Sequence, residues 1–167
     1  QEWICPIQYD KQVSGAYFSP SKDIIVIPKK EQFNIGKTLE EVYKDGMEYY
    51  STALHEMAHS TGTEPRLNRG SHEKFGDAKY AKEELVAELT AAMVGNSMGF
   101  NKRILDNNAA YLDSWISTLK ENPKFIVSVM ADVNKAANMV LEEVDKQKMA
   151  LGEEPLLDKN RNLSTDI

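Results

Sequence analysis

One cysteine in 167 residues excludes an internal disulfide framework and any zinc cluster built on thiolates. Cys5 is read as a partly buried or boundary thiol, not as a nucleophile. No apolar run approaches the roughly 18 residues that a membrane span needs, so no membrane partner is expected. The opening residues, Gln1-Glu2-Trp3-Ile4-Cys5-Pro6, lack the basic start and apolar centre of a secretory leader. They also lack an initiator Met, which points to a piece of a longer chain or a processed form. Positive charge is scarce: 20 Lys and Arg against 26 Asp and Glu leave a formal net charge of −6. Holding nucleic acid by its phosphates takes clustered Lys and Arg, so nucleic acid is not expected to bind through this domain alone. No internal repeat or low-complexity block is present. These absences leave an ordinary globular chain for which a cytoplasmic location is expected.

What is there has the balance of a soluble domain, 41% hydrophobic and 28% charged. The length suits one domain with a real core, expected over residues 1–150, with 151–167 a polar, flexible tail. The opening segment 1–15 has weak periodicity. Ala16 to Ser19, then Pro20-Ser21-Lys22, then Asp23 to Pro28 reads as strand, turn, strand, a small antiparallel hairpin. Thr38-Leu39-Glu40-Glu41 has the form of a capping box opening a short helix. Asp45 to Glu48 repeats that grammar and opens a second helix, carried by Tyr49, Tyr50, Ala53, Leu54, Met57 and Ala58 to a stop at Gly62. A further helix is expected from about Asp77 to Gly99, burying Leu85, Val86, Leu89, Ala92 and Met93. Another should start near Asp106 with Tyr111, Leu112, Trp115, Ile116 and Leu119. The last opens at Asn122-Pro123 and carries Phe125, Ile126, Val129, Val133, Ala136, Val140 and Val144. The fold class is α+β: a small sheet near the N-terminus, then a mainly helical bundle.

Within that bundle lies His55-Glu56-Met57-Ala58-His59. On a helix, residues four apart share a face, so His55 and His59 aim two imidazoles at one point. Glu56 sits one step round, placed to take a proton from a metal-bound water; that is the mechanical content of the H-E-x-x-H motif. Average residue usage would produce the pattern by chance in roughly one in a few hundred chains of this length.

Catalytic zinc takes three protein ligands and leaves a fourth position for water. The metzincin arrangement, H-E-x-x-H-x-x-G-x-x-H, fails here because Pro65 stands where its last histidine should be. His72 is the one other histidine, in a polar loop over residues 63–76. The remaining source is the helix beginning Lys82-Glu83-Glu84-Leu85-Val86-Ala87-Glu88. Glu84 and Glu88 lie one turn apart on one face. Glu84 is the preferred third ligand, with Glu83 and His72 as alternatives. Glu88 would then accept the free ring N–H of a ligating histidine and fix its tautomer.

The run Tyr49 to Gly62, then Arg66-Leu67-Asn68-Arg69, then Tyr80 to Leu89 resembles the zincin-like metallopeptidase domain of ArdC-type antirestriction and polyvalent proteins. Asp23 to Pro28 upstream and Ala109 to Trp115 downstream add to the likeness, which runs from about residue 15 to 145. The resemblance implies a zincin fold, a metal on the two motif histidines and a helix glutamate, and peptidase activity. It also implies a separate single-stranded-DNA-binding domain N-terminal to this one, in agreement with the missing Met. Two positions depart from the family pattern, Thr63 and Asn108, where members often carry His; neither is a proposed ligand.

The expected chemistry is zinc-dependent hydrolysis of a protein or peptide substrate, with Mn2+ or another divalent ion as a substitute for Zn2+. Glu56 would accept the water's proton and pass it to the leaving amine. The developing oxyanion needs a donor. Tyr111, Arg66 and Arg69 are candidates, against their alternatives of a core stripe beside Trp115, a solvated loop or a helix cap. The rival function is a catalytically silent, metal-stabilised module that protects DNA or blocks a restriction nuclease.

Overall fold

The β-branched run Ile24-Ile25-Val26 forms the middle strand of a small sheet in the computed structural model, which describes residues 3–33, 36–70, 78–99, 115, 117, 121 and 123–157. Strand β1 spans Ile7–Gln8, β2 Tyr17–Ser19 and β3 Ile24–Val26, in the order β1-β3-β2. The expected hairpin is present: β2 and β3 pair antiparallel, with Phe18 opposite Ile25. Asp23, at φ 50°, closes its turn, a left-handed conformation that Asp tolerates. The opening segment adds a strand that periodicity could not reveal, because β1 is two residues long. It pairs parallel to β3, with Ile7 opposite Ile25, and Ile25 N–H donates to the Pro6 carbonyl at 3.0 Å. Alternation then places Cys5, Ile25 and Ile27 on one buried face, packed against Tyr49, Ala53 and Met57.

Those three residues belong to α1, Leu39–Ser60. Its start is the predicted capping box: Glu41 N–H donates to Thr38 Oγ1 at 3.2 Å, and Glu41 Oε2 accepts from Thr38 N–H at 3.1 Å. The expected break at Asp45 does not occur. The Asp45 carboxylate accepts from Gly36 N–H at 2.8 Å, so it anchors the preceding loop and leaves the helix to continue through Gly46. One helix of 22 residues replaces two.

Helix α2, Ala78–Ser97, lies between α1 and α3, Pro123–Ala150. One core cluster joins all three through Leu54, Ala91, Val94, Ala137, Val140 and Leu141. A second joins Leu85, Val86, Trp115, Val129 and Val133. Residues 83–88 of α2 are all buried, because one side faces α1 and the other faces α3. The expected stripe is therefore shifted: Leu89 and Met93 are partly exposed, while Ala87, Thr90, Ala91 and Val94 are buried. Ile126 on α3 is likewise exposed. Beyond α3 the chain turns at Gly152, φ 77°, and doubles back. Leu156 and Leu157 N–H donate to the buried Asp145 carboxylate at 2.6 and 3.0 Å, and both side chains pack with Trp3 on the first cluster. Asp77, Asn122 and most of the helix expected from Asp106 lie outside the described residues. Among the described residues, no helix is long and apolar enough to cross a membrane.

Candidate metal centre

Helical periodicity brings His55 and His59 together near the end of α1, and α2 delivers its glutamates opposite them. His55 Nε2 and His59 Nε2 stand 3.0 Å apart. Glu84 reaches both, Oε2 to His55 Nε2 at 3.2 Å and Oε1 to His59 Nε2 at 3.1 Å. Three donors about 2.0–2.1 Å from a tetrahedral zinc would be about 3.3–3.4 Å apart. Each pairwise spacing is within a few tenths of an ångström of that value, with the two Glu84 oxygens shared between the histidines, and one ligand atom from each residue lies within 4.8 Å of the others. The donor chemistry fits too, two imidazoles and a carboxylate.

The other ring nitrogens are also engaged. His55 Nδ1 is 2.9 Å from Glu88 Oε2, so Glu88 stands where a tautomer-fixing acceptor must. His59 Nδ1 is 3.2 Å from Glu83 Oε1. Glu83, weighed above as an alternative ligand, thus faces the far side of the imidazole and leaves the shared point to Glu84. Two histidines sharing one ion would need two such acceptors, and a third glutamate within six residues of Glu84 and Glu88 is the signal that could have found Glu83 in that place.

Electrostatics follows from burial. Desolvation opposes a charged His59, but the Glu83 and Glu84 carboxylates outweigh it and raise the pKa from 6.5 to about 10. His55 is raised by Glu84 and Glu88 against the same desolvation penalty. Glu83 is held down at about 2: burial pushes it up, and Arg69 with His59 pulls it further down. Glu84 is lowered in the same contest by both histidines. Glu56 goes the other way. Burial raises its pKa, against His59, His55 and the nearby Phe18 backbone of β2. A raised carboxyl beside a cation site is what a proton acceptor working near neutrality needs.

The profile of the zincin-like metallopeptidase family matches residues 5–132, most of the chain. The chain belongs to the zincin-like metallopeptidases. Two curated relatives of this zincin-like domain, both DNA primase TraC from Escherichia coli, are 39% and 37% identical over 132 residues. Each alignment covers 79% of this chain, but only 11% and 8% of those proteins. The crystal structure of the antirestriction protein ArdC from the R388 plasmid in its Mn(II)-bound form superposes with a TM-score of 0.68 at 30% identity. It covers 83% of this chain and 48% of that one; the metal-free form gives 0.64, 90% and 48%. The zincin-like domain therefore spans about half of the solved ArdC chain and about a tenth of TraC.

The two loop arginines of this zincin-like domain are engaged by protein partners, among them carbonyls in the last turn of α1, the place their helix-cap alternative gives them. Arg66 donates to both Asp23 oxygens, at 2.8 and 2.6 Å, and to the Ser60 carbonyl at 2.8 Å. It ties the hairpin turn to the end of α1. Arg69 donates to both Glu83 oxygens at 2.8 Å and to the Ala58 carbonyl at 2.8 Å. Thr63, where family members often have His, is buried with its hydroxyl 3.3 Å from Arg66 Nη1. Tyr111 and His72 lie outside the described residues.

Proposed function

We propose that this domain is a metal-dependent peptidase, with His55, His59 and Glu84 as ligands and Glu56 as general base and acid. The observation that carries the reading is the convergence of both Nε2 atoms and the Glu84 carboxylate within 3.2 Å, beside a buried Glu56. When bound, a divalent cation supplies Lewis-acid chemistry, acidifying a water and polarising a carbonyl. The chain's own residues do the rest. Glu88 and Glu83 keep the imidazoles oriented, and Glu56 receives a proton and returns it to the leaving amine.

A peptide is the favoured substrate class. Among the described residues β2 is an edge strand, and the Phe18 backbone lies near enough to Glu56 to favour its charged form, so an extended chain added to that edge would run past the proton acceptor. Zinc suits the donor set, and so does manganese, the metal named for the related ArdC structure. A role within a larger mobile-element protein with antirestriction activity goes with the likeness to the plasmid-borne ArdC. A cytoplasmic setting goes with the single unpaired thiol.

The test is a peptide-library digest by the metal-loaded protein alongside Glu56→Gln. The substitution should keep the metal and lower hydrolysis by about 10²–10⁴-fold. A variant that cuts as well as the parent removes Glu56 from the chemistry, and a parent that cuts nothing while holding its metal points to the silent binding module.

A further inference from the structure

His59 can serve as a ligand in only one of its two ring orientations, since a flip about χ2 carries Nε2 away from Glu84. What selects the orientation is the Nδ1 contact to Glu83 Oε1 at 3.2 Å. Glu83 is itself a flexible side chain carrying a buried charge, and it is held by one residue of the loop after α1. Arg69 presents Nε to Oε2 and Nη2 to Oε1, both at 2.8 Å, the bidentate geometry that fixes a carboxylate plane. The guanidinium is anchored from behind by the Thr61 hydroxyl and the Ala58 carbonyl, each at 2.8 Å. It lies across Gly62, where a Cβ would stand 2.6 Å from Nη2 and 2.8 Å from Cζ. The glycine that ends α1 therefore leaves room for the arginine.

We propose that Arg69 is a positioning residue: by locking Glu83, and through it the His59 ring, it makes the loop after α1 set the domain's affinity for a divalent cation. This rests on the metal-site reading above. Arg66 provides an internal contrast. It lies three residues earlier in the same loop, but it braces Asp23 and the Ser60 carbonyl without reaching the histidines.

The experiment uses the 167-residue chain and Arg69→Met, Glu83→Ala, the double variant, Gly62→Ala and Arg66→Met. Affinities for Zn2+ and Mn2+ are measured by chelator competition, folding by thermal melts, and the His59 Nδ1–H by NMR in the metal-free protein. Arg69→Met should weaken both metals by about tenfold or more, the effect typical of residues behind a metal ligand. It should add nothing to Glu83→Ala. The slowly exchanging Nδ1–H signal of the parent should be lost. Arg66→Met should lower the melting temperature and leave affinity within about twofold, because metal affinity is set by ligand orientation.

The proposal is overturned if folded Arg69→Met binds both metals like the parent and keeps the Nδ1–H signal. Should Arg69→Met fail to fold, Gly62→Ala, which displaces the guanidinium and retains the arginine, carries the same two outcomes. If the parent itself binds neither metal, the metal-site reading falls separately, and the Nδ1–H signal alone decides whether Arg69 positions His59.

Discussion

Metal uptake by this domain should release a proton well above the pH at which histidine ordinarily titrates. In the metal-free protein His59 is a cation between Glu83 and Glu84, with a pKa of about 10 in place of 6.5. A ligating imidazole must be neutral, so the ion and the proton compete for His59. With a pKa of 6.5, apparent affinity would change only about 1.3-fold between pH 7 and 9, from the ratio of protonation factors. With a pKa of about 10, the same ratio is about 90-fold. Affinity must therefore climb nearly tenfold per pH unit across a range where free histidine is already neutral. Chelator competition at pH 7, 8 and 9, with the chelator's own protonation corrected, measures the slope. Calorimetry in buffers of different ionisation enthalpy counts the protons independently. A flat profile with no proton released at pH 8 would refute the charged triangle described here.

The same groups set the pH limits of the metal-free fold. His59, raised from 6.5 to about 10, stabilises fully below about pH 6.5 and ceases to as the pH rises through about 10. Glu83, lowered from 4.5 to about 2, stabilises above about pH 4.5 and ceases to as the pH falls through about 2. Melting temperatures of chelator-treated protein should therefore fall on both sides of a plateau between these limits. Asp145→Ala removes the acceptor of the Leu156 and Leu157 N–H groups. Two charge-assisted hydrogen bonds, less the relief of unburying a carboxylate, predict a loss of about 2–3 kcal/mol in urea unfolding with metal affinity unchanged. Gly36→Ala would set a Cβ 2.8 Å from the Glu41 backbone carbon. Overpacking of that kind costs about 1–3 kcal/mol, and an unchanged urea midpoint would count against the close approach.

Legibility in the sequence tracked how local each cause is. The motif helix and Glu84 could be placed because the four-residue spacing of His55 and His59, and the helical register of Glu84 and Glu88, are set within one turn. The capping box at Thr38 was equally local. Asp45 misled because a buried Asp looks the same in sequence whether it caps a helix or accepts from a distant N–H such as that of Gly36. β1 was invisible because two residues cannot show alternation. The Arg69–Glu83 pair could not be read because Glu83 is fourteen residues away on another helix, and periodicity has no access to such pairs.

The unbroken burial of residues 83–88 has a consequence for how this helix tolerates change. Most helices have a free side on which substitutions accumulate without penalty. Here one side belongs to the bundle and the other to the ion site, so no position in that stretch is spare. A saturation scan should show a solid block of intolerance at 83–88 in place of a three-to-four-residue rhythm. Variants at Val86 or Ala87, which lie inside the helix packing, would then register as defects of the metal centre. Mutational sensitivity along this segment is therefore a poor guide to which residues meet the ion.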